Sequence, residues 1–125
     1  MLKLTPTNDK TLLDRLSNEI FGHDFGHEVG FVFQKGEENI GIARITCTPE
    51  KSTVVKVGII PSERGQGYGD FFTRCLLLKM SDVSERIEIE YISDYYKKFG
   101  FTEENGKMII DSGKLYFPRA CQKGE

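Results

Sequence analysis

The chain of 125 residues is 38% apolar and 29% charged, with a formal net charge of −2. That length suits one domain, residues 1–125, and that balance argues against a disordered, collagenous or coiled-coil chain. A charge so close to zero supplies no general field for nucleic acid.

No apolar run approaches the length of a bilayer span, and Met1-Leu2-Lys3-Leu4-Thr5 lacks the apolar core of a secretory signal. Cys47, Cys75 and Cys121 are odd in number and show no CxxC spacing, so they read as free thiols in a reducing compartment. The expectation is a cytoplasmic protein with neither a membrane nor a nucleic acid as partner.

Residues 2–5 predict a short first strand. After Pro6, Thr7 or Asn8 can cap a helix whose apolar face is Leu12, Leu13, Leu16 and Ile20. The stretch 21–28, rich in Gly, His and Asp, reads as a loop. Two strands follow at 29–34 and 40–47, joined by a tight turn through 35–39. Pro49 and Glu50 suit another turn before a β-branched strand that runs to Ile60. Residues 71–80 predict a helix with Phe71, Phe72, Cys75, Leu76, Leu78 and Met80 on a broad apolar side, and Asp70, Arg74 and Lys79 toward water. Ile-Glu-Ile-Glu-Tyr at 87–91 alternates as a strand. Ser93 caps a short helix through 94–99, which Gly100 closes. The last strands fit 101–104 with 107–110, around a turn at Asn105-Gly106, and 115–121. The sum is an α/β domain with a mixed central sheet flanked by helices.

The segment Arg64-Gly65-Gln66-Gly67-Tyr68-Gly69, between a strand and a helix, is the strongest functional signal. Its glycines allow close backbone approach, unpaired amides at a helix start point at an anion, and Arg64 adds donors suited to phosphate oxygens. A phosphate-bearing cofactor is the first reading, and a helix entry with no ligand is the other. No Lys-Ser or Lys-Thr pair follows, as a P-loop needs. Nor does a Gly-x-Gly-x-x-Gly stand near the first strand, as a dinucleotide site needs.

Two segments resemble the GNAT superfamily of acyl-CoA-dependent N-acyltransferases. Gly58-Ile59-Ile60-Pro61-Ser62-Glu63-Arg64-Gly65-Gln66-Gly67-Tyr68-Gly69 is similar to the strand, proline and (Arg/Gln)-x-x-Gly-x-(Gly/Ala) turn that holds acyl-CoA pyrophosphate. Tyr95-Tyr96-Lys97-Lys98-Phe99-Gly100-Phe101 looks like the Tyr-x-x-x-Gly-Phe segment one strand later. The resemblance implies a central sheet splayed open after Ile59, with the N-terminal helical region shortened. It implies acetyl-CoA as cofactor, with Val57, Gly58 and Ile59 pairing to the pantetheine arm. Arg64, Gly65, Gln66, Gly67, Tyr68 and Gly69 would hold the pyrophosphate. It also implies that Tyr96 protonates the leaving thiolate or hydrogen-bonds its sulfur, with Tyr95 as its rival if the register slips by one. The other reading is that Tyr96 and Phe99 anchor the helix against the sheet.

An amine acceptor is mostly protonated near neutral pH and needs a base before it attacks. Many relatives carry a glutamate on the strand leading into the turn, and Thr53, Val54, Val55, Lys56 and Val57 supply none. Glu88 and Glu90 point the same way from a later strand and are the candidate bases, with an exposed strand face as the other explanation. His23, Asp24, His27 and Glu28 form a polar cluster. Without helical HExxH spacing or nearby cysteines it does not read as zinc, and no metal is expected. Its loop can instead line the acceptor groove, with His23 or His27 as an alternative base.

No cysteine has a charge partner nearby in sequence, which favours direct attack in a ternary complex over a covalent relay. Charge developing on the thioester oxygen would be met by a strand amide near Ile59. Larger members of the superfamily usually place another helix between the first helix and the second strand. Set against that pattern, the short loop here predicts an open groove suited to a peptide or protein amine or a partner subunit, or a site completed by a homodimer. A small-molecule amine is the other acceptor. Only residues 91–94 separate the fifth long strand from the Tyr-x-x-x-Gly-Phe segment, which trims contacts to the cofactor arm. The leading expectation is an acetyl-CoA-dependent N-acetyltransferase acting on a primary amine. The alternative is a non-catalytic acyl-CoA-binding or protein-interaction domain on the same fold.

Overall fold

The computed structural model describes residues 1–118. Among them seven strands form one sheet: β1 (Leu2–Thr7), β2 (Gly30–Lys35), β3 (Glu38–Cys47), β4 (Lys51–Ile59), β5 (Arg86–Ile89), β6 (Thr102–Glu104) and β7 (Lys107–Asp111). Their spatial order is β1-β2-β3-β4-β5-β7-β6. All neighbours run antiparallel except β4 and β5, which are parallel and joined by helix α2 (Tyr68–Val83). Such a parallel pair needs a crossover connection, and α2 is that crossover. Helix α1 (Lys10–Phe21) links β1 to β2.

Alternation along the strands builds two cores on opposite faces. Val32 and Ile42 face α1, packing with Leu13, Leu16 and Phe25. Their neighbours Phe33 and Ala43 face α2, packing with Phe72, Leu76, Leu77 and Met80. Gly58 lets the end of α1 lie on β4: a Cβ there would stand 2.6 Å from the Ile20 side chain and 2.9 Å from that of Phe21.

Several expectations are corrected. β1 continues through Pro6 to Thr7, which an edge strand tolerates because the missing N–H costs no ladder bond. Asp9 rather than Thr7 or Asn8 caps α1, its carboxylate accepting from Leu12 N–H at 3.1 Å, while the Thr7 hydroxyl accepts from Asp9 N–H at 3.1 Å. On α2, Phe71 and Leu78 are exposed. Asp70 and Arg74 are half-buried instead of facing water, because 3-10 helix Asp94–Phe99 packs beside them. Residues 115–118 form no strand. The Tyr116 N–H instead bonds to the Phe99 carbonyl at 3.0 Å, and the rest of the strand expected at 115–121, with Cys121, lies outside the described residues.

Candidate active site

β4 and β5 pair only while Lys51 to Val54 face Arg86 to Ile89, and the last bond of the pair runs from Glu90 N–H to the Val54 carbonyl at 3.0 Å. Beyond it the strands diverge. The sheet therefore splays after Val54, five residues earlier than the expected point after Ile59. A shift of register between β3 and β4, which places Val55 out of pair, marks the same place. Such bulges bend the strand and re-aim its neighbours.

The opening is a cleft of about 320 Å³. One wall is Val57, Gly58 and Ile59 of β4, and the opposite one is Tyr91, Tyr95 and Tyr96. Gly69, Asp70 and Thr73 of α2 close one end beside Arg64. The helix start sits there because Gly67 adopts φ +84° as its cap residue and offers no side chain to its amides. Gly65 adopts φ +81°, and a Cβ on either glycine would meet nothing within 4 Å. The turn thus presents an uncapped helix start to open space, where backbone N–H groups and the helix dipole favour an anion. Residues able to hold a pyrophosphate are present, and the unpaired edge of β4 is free to pair with an extended amide chain. Gln66 is exposed in the turn, and the Tyr68 ring lies under the Lys35 ammonium at 5.3 Å. Arg64 is exposed and folds back on the chain: its Nε donates to the Ile59 carbonyl at 2.9 Å and Nη2 to the Ile20 carbonyl at 3.5 Å.

Tyr96 is buried, its ring edge-on to those of Tyr95 and Phe101. Its Oη lies 2.7 Å from Tyr91 Oη. Burial, then the neighbouring Tyr91 hydroxyl, pushes the Tyr96 phenol far above the ordinary tyrosine range, so it stays protonated. Tyr95 is raised as well, by burial and by the hydrogen bond its Oη donates to Asp70 Oδ1 at 2.5 Å. Asp70 also takes Arg74 Nε at 2.8 Å and Lys98 Nζ at 3.2 Å. Burial works to raise that carboxyl, but the donors from Tyr95, Arg74 and Lys98 outweigh it and hold Asp70 below the usual carboxylate range.

The sequence-predicted residues divide sharply. Val57, Gly58, Ile59, Arg64, Gly69, Tyr95 and Tyr96 meet in the cleft. Glu88 does not. It is buried in the paired half of β5, with Arg86 Nε at 3.1 Å, Lys107 Nζ at 3.3 Å and Lys51 Nζ at 3.6 Å. Burial opposes its ionised form, and these cations overcome that and lower its pKa. Glu90, two residues on, is exposed at the apex of the splay. His23 and His27 are exposed and turn back on their own loop, with Nδ1 2.9 Å from the Asp24 carbonyl and 3.1 Å from the Val29 carbonyl respectively. They do not line the cleft. Among the described residues no three His, Cys, Asp or Glu side chains gather closely enough to hold a metal ion.

Sequence reasoning passed over Asp70, Thr73, Tyr91 and Ser93, which all line the cleft. Asp70 carries a usable signal, an acid in the first turn of a helix whose dipole already favours it. Tyr91 ends the alternating Ile-Glu-Ile-Glu-Tyr run, so its position past the splay is the signal that counted.

No protein-family model and no curated protein matches this chain. Solved structures do. The ribosomal-protein-S18-alanine N-acetyltransferase from Escherichia coli superposes with a TM-score of 0.74 at 13% identity, covering 97% of this chain and 98% of that one. A GNAT family acetyltransferase from Brucella melitensis, in complex with acetyl-CoA, gives 0.70 at 12% identity, covering 95% and 92%. A GNAT family N-acetyltransferase from Escherichia coli in complex with CoA gives 0.70 at 14% identity, covering 90% and 81%. The chain has the GNAT acyltransferase fold: a mixed, partly splayed sheet flanked by helices.

Proposed function

We propose that this protein is an acetyl-CoA-dependent N-acetyltransferase that moves the acetyl group to a primary amine by direct attack. The observation that carries the reading is one piece of geometry. The unpaired edge of β4 beyond Val54 faces Tyr96 across a cleft that ends at the uncapped start of α2. Acetyl-CoA bound there would supply the activated acetyl group as a thioester. The amides of Gly65, Gln66, Gly67, Tyr68 and Gly69, with the Arg64 guanidinium beside them, would hold its pyrophosphate, and the edge at Val57, Gly58 and Ile59 would hold the extended arm. Much of this is uniform binding, which fixes position more than it lowers the barrier.

Tyr96 keeps its proton, and its O–H would hydrogen-bond the sulfur of a departing thiolate, with Tyr91 Oη as its own hydrogen-bond partner. Glu90, exposed at the apex of the splay but outside the cleft lining, would take the amine proton through water. Glu88 is already committed to three cations. The likeness to an enzyme acting on a ribosomal-protein alanine and to acetyl-CoA complexes supports the class of reaction. An open acceptor side suits a small amine or a peptide amine.

Calorimetry with acetyl-CoA on wild type and Arg64→Ala, followed by thiol release with Tyr96→Phe, tests the reading. Saturable binding weakened in Arg64→Ala, with turnover about a hundredfold slower in Tyr96→Phe and binding retained, supports it. Absence of binding by a folded wild type overturns it. Binding with turnover equal in Tyr96→Phe removes Tyr96 from the chemistry.

A further inference from the structure

Arg44 of β3 and Lys56 of β4 stand directly opposite each other in the antiparallel pair. Opposed residues share a face with Cβ atoms only about 5 Å apart, and like charges so placed repel. Neither has a carboxylate within 4.0 Å among the described residues. Asp14 acts on Lys56 from farther off, but its oxygens are taken by Lys10 at 2.8 Å and by the Phe25 N–H at 3.0 Å. Glu90 pairs with neither cation. Among the described residues Lys56 Nζ reaches only the Ser17 hydroxyl at 3.5 Å and the Asp24 carbonyl at 3.4 Å, above the rings of Phe21 and Phe25. The Arg44 side chain makes no hydrogen bond among the described residues, and its Nε is buried without a partner. Burial and the neighbouring Arg44 lower the Lys56 pKa.

Two half-buried cations with no acid between them are costly unless something anionic completes them. Their place gives the occupant a role. Lys56 immediately precedes Val57, the first β4 residue that lines the cleft, and strand alternation sends its side chain to the opposite, α1 side of the sheet. The glycine turn, Asp70 and Thr73 belong to the α2 side, where the cofactor would enter. Neither Arg44 nor Lys56 is among the residues that line the cleft; they stand beside it on the α1 side, the side left for the amine.

We propose that Arg44 and Lys56 form an anion-binding subsite of the acceptor site, so that the acceptor is a primary amine carrying its own carboxylate or phosphate. The guanidinium offers a planar fork to two oxygens and the ammonium a point charge beside it. This rests on the acetyltransferase reading.

The test uses amines that differ only in the anion: β-alanine against β-alaninamide, and O-phosphoethanolamine against ethanolamine. Thiol release from acetyl-CoA reports each, and the two pairs separate carboxylate from phosphate. The anionic member is expected to be favoured in kcat/KM by about tenfold or more, through KM. Arg44→Gln and Lys56→Gln should each erode that preference, while Lys56→Arg restores it. Acetyl-CoA affinity, measured alongside, reports folding and the cofactor reading separately. No preference in wild type, or a preference unchanged in both Gln variants, overturns the subsite. Should no amine turn over, the Arg44 Nε–H resonance is titrated with β-alanine and with O-phosphoethanolamine. A saturable shift that Lys56→Gln weakens supports the subsite, and no shift overturns it.

Discussion

Asp70 sits three residues past Gly67 in the first turn of α2, where the helix dipole alone favours a carboxylate. Tertiary contact gives it a second task, because its oxygens gather Tyr95, Arg74 and Lys98 and so tie the start of α2 to the segment carrying Tyr96. Its pKa is lowered in the folded state, so its contribution to stability is present above the unfolded value of 3.8 and is lost as pH falls through the lower folded value. Asp70→Asn is therefore expected to lower the thermal midpoint at neutral pH, and the gap from wild type should close in acid. Midpoints measured across the acid range check this, and parallel curves for the two proteins would contradict it. The tyrosine pair was legible in the Tyr-x-x-x-Gly-Phe spacing. Its hydrogen-bond partners were not, because Tyr91 Oη and Asp70 Oδ1 arrive from other elements.

Among the elements, α1 and α2 show what periodicity carries. Leu13 and Leu16, and Phe72, Leu76 and Met80, are buried as their spacing indicates. Phe71 and Leu78 read as core and are exposed, because an apolar stripe wider than the sheet surface beneath it leaves its margins in water. The seat of α1 on β4 depends on Gly58, which the sequence marks for the cofactor arm but not for helix packing. Gly58→Val would drive a side chain into Ile20 and Phe21, and should cost about 1–3 kcal/mol. Gly113→Ala, where nothing lies within 4 Å, should change stability by less than about 0.5 kcal/mol. Urea denaturation of the two variants makes the comparison. The expected helix at 94–99 exists as a 3-10 helix, its Ser93 cap and Gly100 end both legible because capping is local.

Across the whole molecule the sheet has a closed half and an open half, divided at Val54 and Glu90. Glu88 belongs to the closed half, and its three cations serve stability there. Glu88→Gln leaves Lys51, Arg86 and Lys107 facing each other unpaired, and is expected to cost about 1–3 kcal/mol. Acetyl-CoA affinity should stay that of wild type, since the cleft lies beyond the splay. Thermal unfolding and calorimetry on that variant check both statements, and lost affinity in a folded variant would return Glu88 to the site.

The order of strands and helices, the glycine turn and the Tyr-x-x-x-Gly-Phe segment were determined by the sequence itself. Alternation, helical spacing, caps and turn glycines act over a few residues, and so they can be read from a few residues. The tertiary structure alone decided where the sheet parts, which of Glu88 and Glu90 stays near the opening, and that Arg44 and Lys56 share one face. These depend on the register between strands distant in sequence, and a slip of one residue would send each of those side chains to the other side.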